Sequence, residues 1–134
     1  MVATTAEALW SIQEPKCGDL PTINRAHYSR PYRYVYSVIT RGLSSFMDAI
    51  GKTNAETGEC IIWSVEKHTP GEPIFVQRPG ATDEDDGALL IVVLDGTSGT
   101  SYLLCLDARD LSEIARADVP VPVSFGFHGI HLLK

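Results

Sequence analysis

The residue best suited to metal chemistry is His128, in the motif Phe125-Gly-Phe-His-Gly129. A histidine between aromatic and glycine residues is expected to pack close to backbone and to be shielded from water. That setting favours the neutral imidazole, which is the form that binds a metal ion, because protons and metals compete for the ring nitrogen. His131 follows three positions later, but residues i and i+3 of a strand face opposite sides of a sheet. We therefore expect His128 and His131 not to share one metal ion, and a hydrogen-bonded core histidine remains the alternative.

A carboxylate, Glu72, lies in the motif Pro70-Gly-Glu-Pro-Ile-Phe-Val76, just before a short apolar run. A carboxylate at the entry of a strand can point inward, and it then needs a partner. Around metals, the usual partner is the N–H of a ligand histidine. The alternative interpretation is a solvated glutamate at the end of a strand.

Four consecutive acidic residues, Asp83–Asp86, precede Gly87 and could indicate a calcium-binding loop. The alternating acids, central glycine and distal glutamate of an EF-hand loop are missing. We therefore predict an exposed turn that leads into the next strand.

The composition excludes several classes of partner. The net charge is −6, and the basic residues form no cluster, which argues against nucleic acids and anionic membranes. The three cysteines, Cys17, Cys60 and Cys105, are widely spaced and odd in number, so we expect free thiols and a reducing compartment. Residues 1–10 lack the features of a signal peptide, and the longest apolar run, 88–94, is too short to span a membrane. We expect a soluble, cytoplasmic protein, with peripheral membrane contact left open.

The elements that must position these residues are strands. Tyrosines alternate in 32–39, and 59–65 and 73–76 are rich in β-forming residues. Residues 88–94 are continuously apolar and predict a strand buried on both faces, joined to 101–106 by a glycine-rich hairpin. No stretch after residue 20 predicts a long helix.

A faint repeat organises these strands. Asn54 and Asp107 each follow a strand and precede a turn, a glutamate and another strand, and they lie 53 residues apart. Asn and Asp suit this position because their side chains bond back to the turn backbone. A period of about 50 residues with several short strands is typical of β-propeller blades; two unrelated hairpins are the alternative. A closed propeller needs at least about 200 residues, so a chain of 134 residues can form only about two blades and leaves sheet edges open.

Taken in order, the motifs resemble the C-terminal part of the carotenoid oxygenases, the family that also contains the stilbene-cleaving dioxygenases. Four segments carry the resemblance: 71–76, 84–87, 102–117 and 125–129. The resemblance runs from Asp19 to the C-terminus. Residues 1–18 have no counterpart that we can place, which divides the chain into an unmatched segment, 1–18, and an oxygenase portion, 19–134.

The resemblance implies an all-β fold that is part of a seven-bladed β-propeller. In such enzymes four histidines hold a non-haem Fe(II) ion, three glutamates accept hydrogen bonds from the ligand imidazoles, and O2 cleaves a carbon–carbon double bond. By resemblance, His128 corresponds to the fourth iron ligand and Glu72 to one of the glutamates. Asp19 stands where the family usually has another glutamate, and its shorter side chain limits its reach.

The expected substrate is an apolar conjugated alkene, namely a carotenoid, an apocarotenoid or a stilbene. His27 and His68 match none of the other ligand motifs, so the chain carries one imidazole of a four-histidine site. A single imidazole does not hold Fe(II) against water with useful affinity. The alternatives are a catalytically inactive truncated product and a small β-sheet interaction module that associates through its open edges.

Overall fold

The structure is a computed structural model and describes residues 5, 8, 11–12 and 18–132. Most of the predicted segment 1–18, including Cys17, lies outside the described residues. The described part is all-β apart from one 3-10 turn, Arg25–His27, and none of its helices is long and apolar enough to cross a membrane. The strands, in chain order, are β1 Gly18–Thr22, β2 Tyr34–Ile39, β3 Ala49–Asn54, β4 Cys60–Trp63, β5 His68–Pro70, β6 Ile74–Gln77, β7 Gly87–Asp95, β8 Thr100–Asp107 and β9 Glu113–Val119.

The strands form two antiparallel sheets that follow one another along the chain. The first has the order β1-β2-β3-β4, and the second has the order β5-β7-β8-β9, with β6 also paired to β7. Strand β5 pairs with the end of β7 and β6 with its beginning. They therefore act as one inner strand that is interrupted at residues 71–73. The predicted fold, two open propeller blades, is confirmed.

The core lies where the two sheets face each other, and it explains an error in the prediction for β7. Leu89, Ile91 and Val93 are fully buried, whereas Leu90 and Val92 are only half-buried. The prediction that 88–94 is buried on both faces is wrong. In this chain only one face of the second sheet is covered by the first sheet.

The predicted repeat appears as two equivalent hairpins, each joining the last two strands of its sheet. The Asn54 side chain accepts hydrogen bonds from the Glu56 and Thr57 N–H groups, at 2.9 and 3.3 Å. The Asp107 carboxylate accepts from the Arg109 N–H at 2.8 Å. Both side chains replace backbone partners that the turn would otherwise lack, as the sequence pattern predicted.

The acidic turn joins the two sheets. The Glu84 carboxylate accepts hydrogen bonds from the N–H groups of Arg33 and Tyr34, at the start of β2. Lys52 Nζ on β3 lies 2.6 Å from Asp85 Oδ2 and 2.7 Å from the Arg109 carbonyl oxygen. We call Lys52, Glu84 and Asp85 the inter-sheet clasp.

The predicted exposed turn is therefore wrong for Glu84 and Asp85, because their partners lie on the other sheet. Asp83 is exposed, as predicted. In the described ranges no three acidic, histidine or cysteine side chains are grouped as a metal site would require.

Candidate metal-ligand site

The candidate site forms where the inner strand of the second sheet is interrupted. Glu72 lies between β5 and β6, flanked by the buried prolines Pro70 and Pro73. The C-terminal segment crosses this interruption, and the Glu72 N–H donates to the Gly126 carbonyl oxygen at 3.2 Å. Phe125 anchors the same segment on the core. The crossing brings the two predicted residues of the site, Glu72 and His128, together.

The Glu72 carboxylate contacts the imidazole and the backbone with different oxygens. Its Oε1 atom lies 3.5 Å from His128 Nδ1, slightly beyond an ordinary hydrogen bond. Its Oε2 atom accepts a hydrogen bond from the Gly129 N–H at 3.0 Å. With Nδ1 turned to the carboxylate, the Nε2 atom of His128 is left free, which is the arrangement of a metal-ligand histidine.

The imidazole is far more exposed than the sequence suggested. The His128 side chain is 68% exposed, whereas that of Glu72 is 12% exposed. The prediction that His128 is shielded from water is wrong for this chain. Its neighbour Phe127 does not cover it, because Phe127 is itself exposed and its ring is tilted by 49° to the imidazole, with centroids 4.0 Å apart.

Asp19 is not brought into contact with this pair. It lies on β1, and its Oδ1 atom accepts a hydrogen bond from the Leu20 N–H at 2.7 Å. Among the described residues no hydrogen bond joins Asp19 to His128. Two residues that follow it, Pro21 and Thr22, do line a cavity of about 170 Å³ together with Glu72 and His128.

Two of the other described histidines have partners elsewhere. His68 begins β5, and its ring nitrogens lie 2.8 Å from the Tyr102 hydroxyl and 3.3 Å from Asp95. The Nδ1 atom of His27 lies 3.0 Å from the Pro31 carbonyl oxygen. Neither contact leads to His128. The third, His131, lines a groove together with Glu72, and the expectation that the chain contributes a single imidazole to a metal site stays a prediction.

An apolar groove of about 350 Å³ adjoins the pair and escaped the sequence analysis. Its walls include Leu90, Val92 and Leu103, from the face of the second sheet that the first sheet does not cover, and Ile130 from the C-terminal segment. The sequence carries no clear signal for this groove, because the run 88–94 is continuously apolar and does not show which of its faces is left uncovered.

Two open blades that carry a histidine–carboxylate pair at the interrupted inner strand define part of a β-propeller protein. Comparison with known proteins agrees: the family model described as retinal pigment epithelial membrane protein matches residues 2–132. The chain belongs to this family, the carotenoid oxygenases. The match begins at residue 2 and so includes the segment 1–18, in which we found no counterpart.

Relatives with assigned activities are close in sequence. The chain is 47% identical to a torulene dioxygenase of Fusarium fujikuroi over 97% of its own length and 23% of the relative. It is 51% identical to a carotenoid dioxygenase of Neurospora crassa, with coverage of 90% and 20%. The chain therefore spans less than a quarter of the length of these relatives.

Solved structures agree with the fold. A cobalt-substituted apocarotenoid oxygenase of Synechocystis superposes with a TM-score of 0.79 at 33% identity, over 85% of this chain and 25% of that one. An ACO/RPE65 chimera gives a TM-score of 0.80 at 31% identity, with coverage of 87% and 25%. One of these relatives thus binds a metal ion.

Proposed function

We propose that this chain is the C-terminal part of a non-haem Fe(II)-dependent dioxygenase. The reaction would insert both atoms of O2 across a carbon–carbon double bond of a carotenoid, apocarotenoid or stilbene and give two carbonyl products. The observation that carries the proposal is the pairing of His128 Nδ1 with the buried Glu72 carboxylate. Relatives that are named torulene and carotenoid dioxygenases support the reaction class.

The residues present fit an iron centre in their chemistry. A neutral imidazole is a good ligand for Fe(II), and a carboxylate at its other nitrogen fixes the tautomer and raises the basicity of the ligand. In this role Glu72 holds the Nδ1 proton of His128, so that Nε2 faces the ion. When bound, the ion supplies the redox chemistry that O2 requires.

This chain also contributes surfaces that orient the substrate. The apolar groove formed by Leu90, Val92, Leu103 and Ile130 adjoins Glu72. Such a wall excludes water and favours an apolar alkene over polar compounds. Asp19, by resemblance, would stand behind a ligand histidine other than His128, with a reach shortened by one methylene group; its neighbours Pro21 and Thr22 line the smaller cavity with Glu72 and His128.

The second candidate function is non-catalytic. The chain carries one imidazole at the site and has open edges, with β4 and β9 each paired on one side only. Unpaired edges favour association with other strands, so an inactive product or an interaction module is the rival proposal. Self-association through these edges, peripheral membrane contact and a cytoplasmic location remain proposals.

Iron content and product analysis separate these functions. The 134-residue chain and a longer polypeptide that carries further blades before it would both be purified and supplied with Fe(II), O2 and an apocarotenoid. We expect stoichiometric iron and two carbonyl products only from the longer polypeptide. Stoichiometric iron with alkene cleavage by the short chain would overturn the view that its single imidazole is insufficient.

Variants of the longer polypeptide test the assignment of residues. His128→Ala should abolish iron binding, and Glu72→Gln should weaken iron affinity by about 10- to 100-fold, as loss of a carboxylate behind a ligand histidine usually does. His131→Ala is the matched control, three positions away, and should retain iron. Full iron content in His128→Ala would refute the proposed ligand.

A further inference from the structure

The position of His128 depends on a place where two backbone segments cross, and both residues at the crossing are glycines. Where the C-terminal segment passes over the inner strand, Gly71 faces Gly126. A Cβ atom added at Gly71 would lie 3.0 Å from the Gly126 nitrogen, 3.2 Å from the Val92 carbonyl oxygen and 3.3 Å from the Gly126 Cα atom. All three are backbone atoms, so none can rotate away.

Hydrogen bonds hold both sides of this crossing. The Gly71 N–H donates to the Val92 carbonyl oxygen at 2.8 Å, which ties Gly71 to β7. The next residue, Glu72, donates its N–H to the Gly126 carbonyl oxygen. A side chain at Gly71 would require a shift of a few tenths of an ångström on one side of the crossing, and such a shift lengthens these backbone hydrogen bonds.

The segment makes a second close approach three residues further on. A Cβ atom at Gly129 would lie 2.6 Å from Ile74 Cδ1, the far end of a flexible side chain. The Gly129 N–H is also the donor to Glu72 Oε2. His128 thus lies between two close approaches: the Gly126 backbone packs against Gly71, and Gly129 packs against the Ile74 side chain.

We propose that Gly71 is a positioning residue for His128: by allowing the backbone of Gly126 to approach, it sets the distance between the imidazole and Glu72. Whether the distance between His128 and Glu72 matters for metal binding rests on the proposed function. The effect of Gly71 on that distance does not rest on it. Gly129 has the same role where the segment approaches Ile74.

The crossing offers its own control. Gly71→Ala adds a methyl group 3.0 to 3.3 Å from backbone atoms, which must shift by a few tenths of an ångström, whereas an added Cβ at Gly126 meets nothing within 4 Å. Gly126 also lies outside the left-handed region that favours glycine, so Gly126→Ala should be tolerated. The two variants make the same chemical change on opposite sides of one contact.

Nuclear magnetic resonance of the 134-residue chain, under conditions where the His128 imidazole is neutral, measures how His128 is placed relative to Glu72. The tautomer ratio of His128 is read from its ring nitrogen shifts, and the Gly129 amide proton shift reports its bond to Glu72. We expect the share of the Nδ1–H form relative to the Nε2–H form to fall by up to about fivefold in Gly71→Ala, as loss of a largely exposed contact worth about 1 kcal/mol implies. Gly126→Ala should change it less than about twofold. The amide of Leu104, in the core, should shift in neither variant.

An unchanged tautomer ratio in Gly71→Ala would overturn the proposal, and so would an equal change in Gly126→Ala. If Gly71→Ala does not fold, the pair Gly129→Ala and Gly129→Ala/Ile74→Val tests the same crossing, because valine lacks the Cδ1 atom that the added methyl meets. We expect the first to lose the Nδ1–H preference and the second to regain it; no recovery would overturn the proposal. An iron-free longer polypeptide would refute the proposed function but leave these results unchanged.

Discussion

The inter-sheet clasp and the His128–Glu72 pair are both polar contacts between distant parts of the chain. Only the clasp is buried and has all its partners within the chain. Lys52 is 7% exposed and has two oxygen partners and an aromatic face, with Nζ 4.1 Å from the Tyr34 ring centroid. His128 is 68% exposed and meets one carboxylate oxygen at 3.5 Å. The chain can therefore hold its two sheets together with its own residues, whereas its candidate ligand is open on the side where further ligands would lie.

This difference predicts where substitutions will act. Removing one partner from the buried clasp leaves a charge without compensation, which costs several kcal/mol. Removing a partner from the exposed pair returns a group to water, which costs little. Stability and metal chemistry should thus respond to different residues.

The largest effect is expected at Lys52. Lys52→Met should lower the free energy of unfolding by about 3 kcal/mol, because it leaves the Asp85 carboxylate and the Arg109 carbonyl without their shared donor. Denaturant unfolding measures this loss. Lys67→Met, at an exposed lysine, is the control and should change stability by less than about 0.5 kcal/mol. Similar losses in both variants would mean that the clasp does not join the sheets.

A smaller, pH-dependent effect is expected at Asp48, a second carboxylate with all its partners in the chain. Burial acts to raise the pKa of Asp48, but hydrogen bonds from the Arg41 N–H and side chain and from the Leu43 N–H outweigh it, and the pKa is lowered. A lowered pKa means that the carboxylate stabilises the fold above its unfolded pKa and that this contribution is lost as the pH falls through the folded value.

Asp48→Asn should therefore cost about 2 kcal/mol at pH 7, and this cost should shrink as the pH falls through the lowered folded pKa of Asp48 and the native residue becomes protonated. Unfolding curves at a series of pH values from 7 downward measure the change. Asp118→Asn, at an exposed position on β9, should show no such dependence. A cost that stays constant across this series would contradict the role of the charge.

Glu72→Gln should cost less than about 1 kcal/mol in this chain, because the amide oxygen can still accept the Gly129 N–H and the exposed imidazole regains water. Thermal or denaturant unfolding checks this. A loss of stability as large as that of Lys52→Met would remove the distinction between the two regions, because it would mean that Glu72 mainly stabilises the fold.

At His128, the expected difference in stability between the glycine and alanine variants has an unusual sign. His128 has a left-handed backbone, with φ of +55°, a conformation that glycine adopts without the strain of a side chain. His128→Gly should therefore be more stable than His128→Ala by about 1 kcal/mol, the reverse of the usual order. Gly126→Ala and its parent provide the reference for a glycine position outside that region. The usual order at 128 would show that the segment relaxes when the imidazole is removed.

The sequence predicted the parts of the molecule that depend on neighbouring residues. Strand β7 and the turns at Asn54 and Asp107 follow from local apolar and Asx patterns. The acidic turn was misjudged because the partner of Asp85 lies 33 residues away on the other sheet. A pattern of neighbouring residues does not reveal a contact between positions that lie so far apart in the sequence.

For the candidate site, the resemblance identified Glu72 and His128, but their surroundings could not be derived from the motif. Shielding of His128 was inferred from aromatic neighbours, yet Phe127 points largely to solvent. The importance of Gly71 depends on a segment that crosses it 55 residues later in the chain, at Gly126. Burial and close approach arise from packing between segments, and a single motif does not specify them.

The left-handed backbone at His128 also has an evolutionary consequence. A single base change converts a histidine codon into one for asparagine, a residue that tolerates this conformation better than most. If selection for iron binding were relaxed, little in the fold would oppose that substitution. In lineages that have lost the activity, we therefore expect position 128 to change early, while Lys52 and Asp85 are retained.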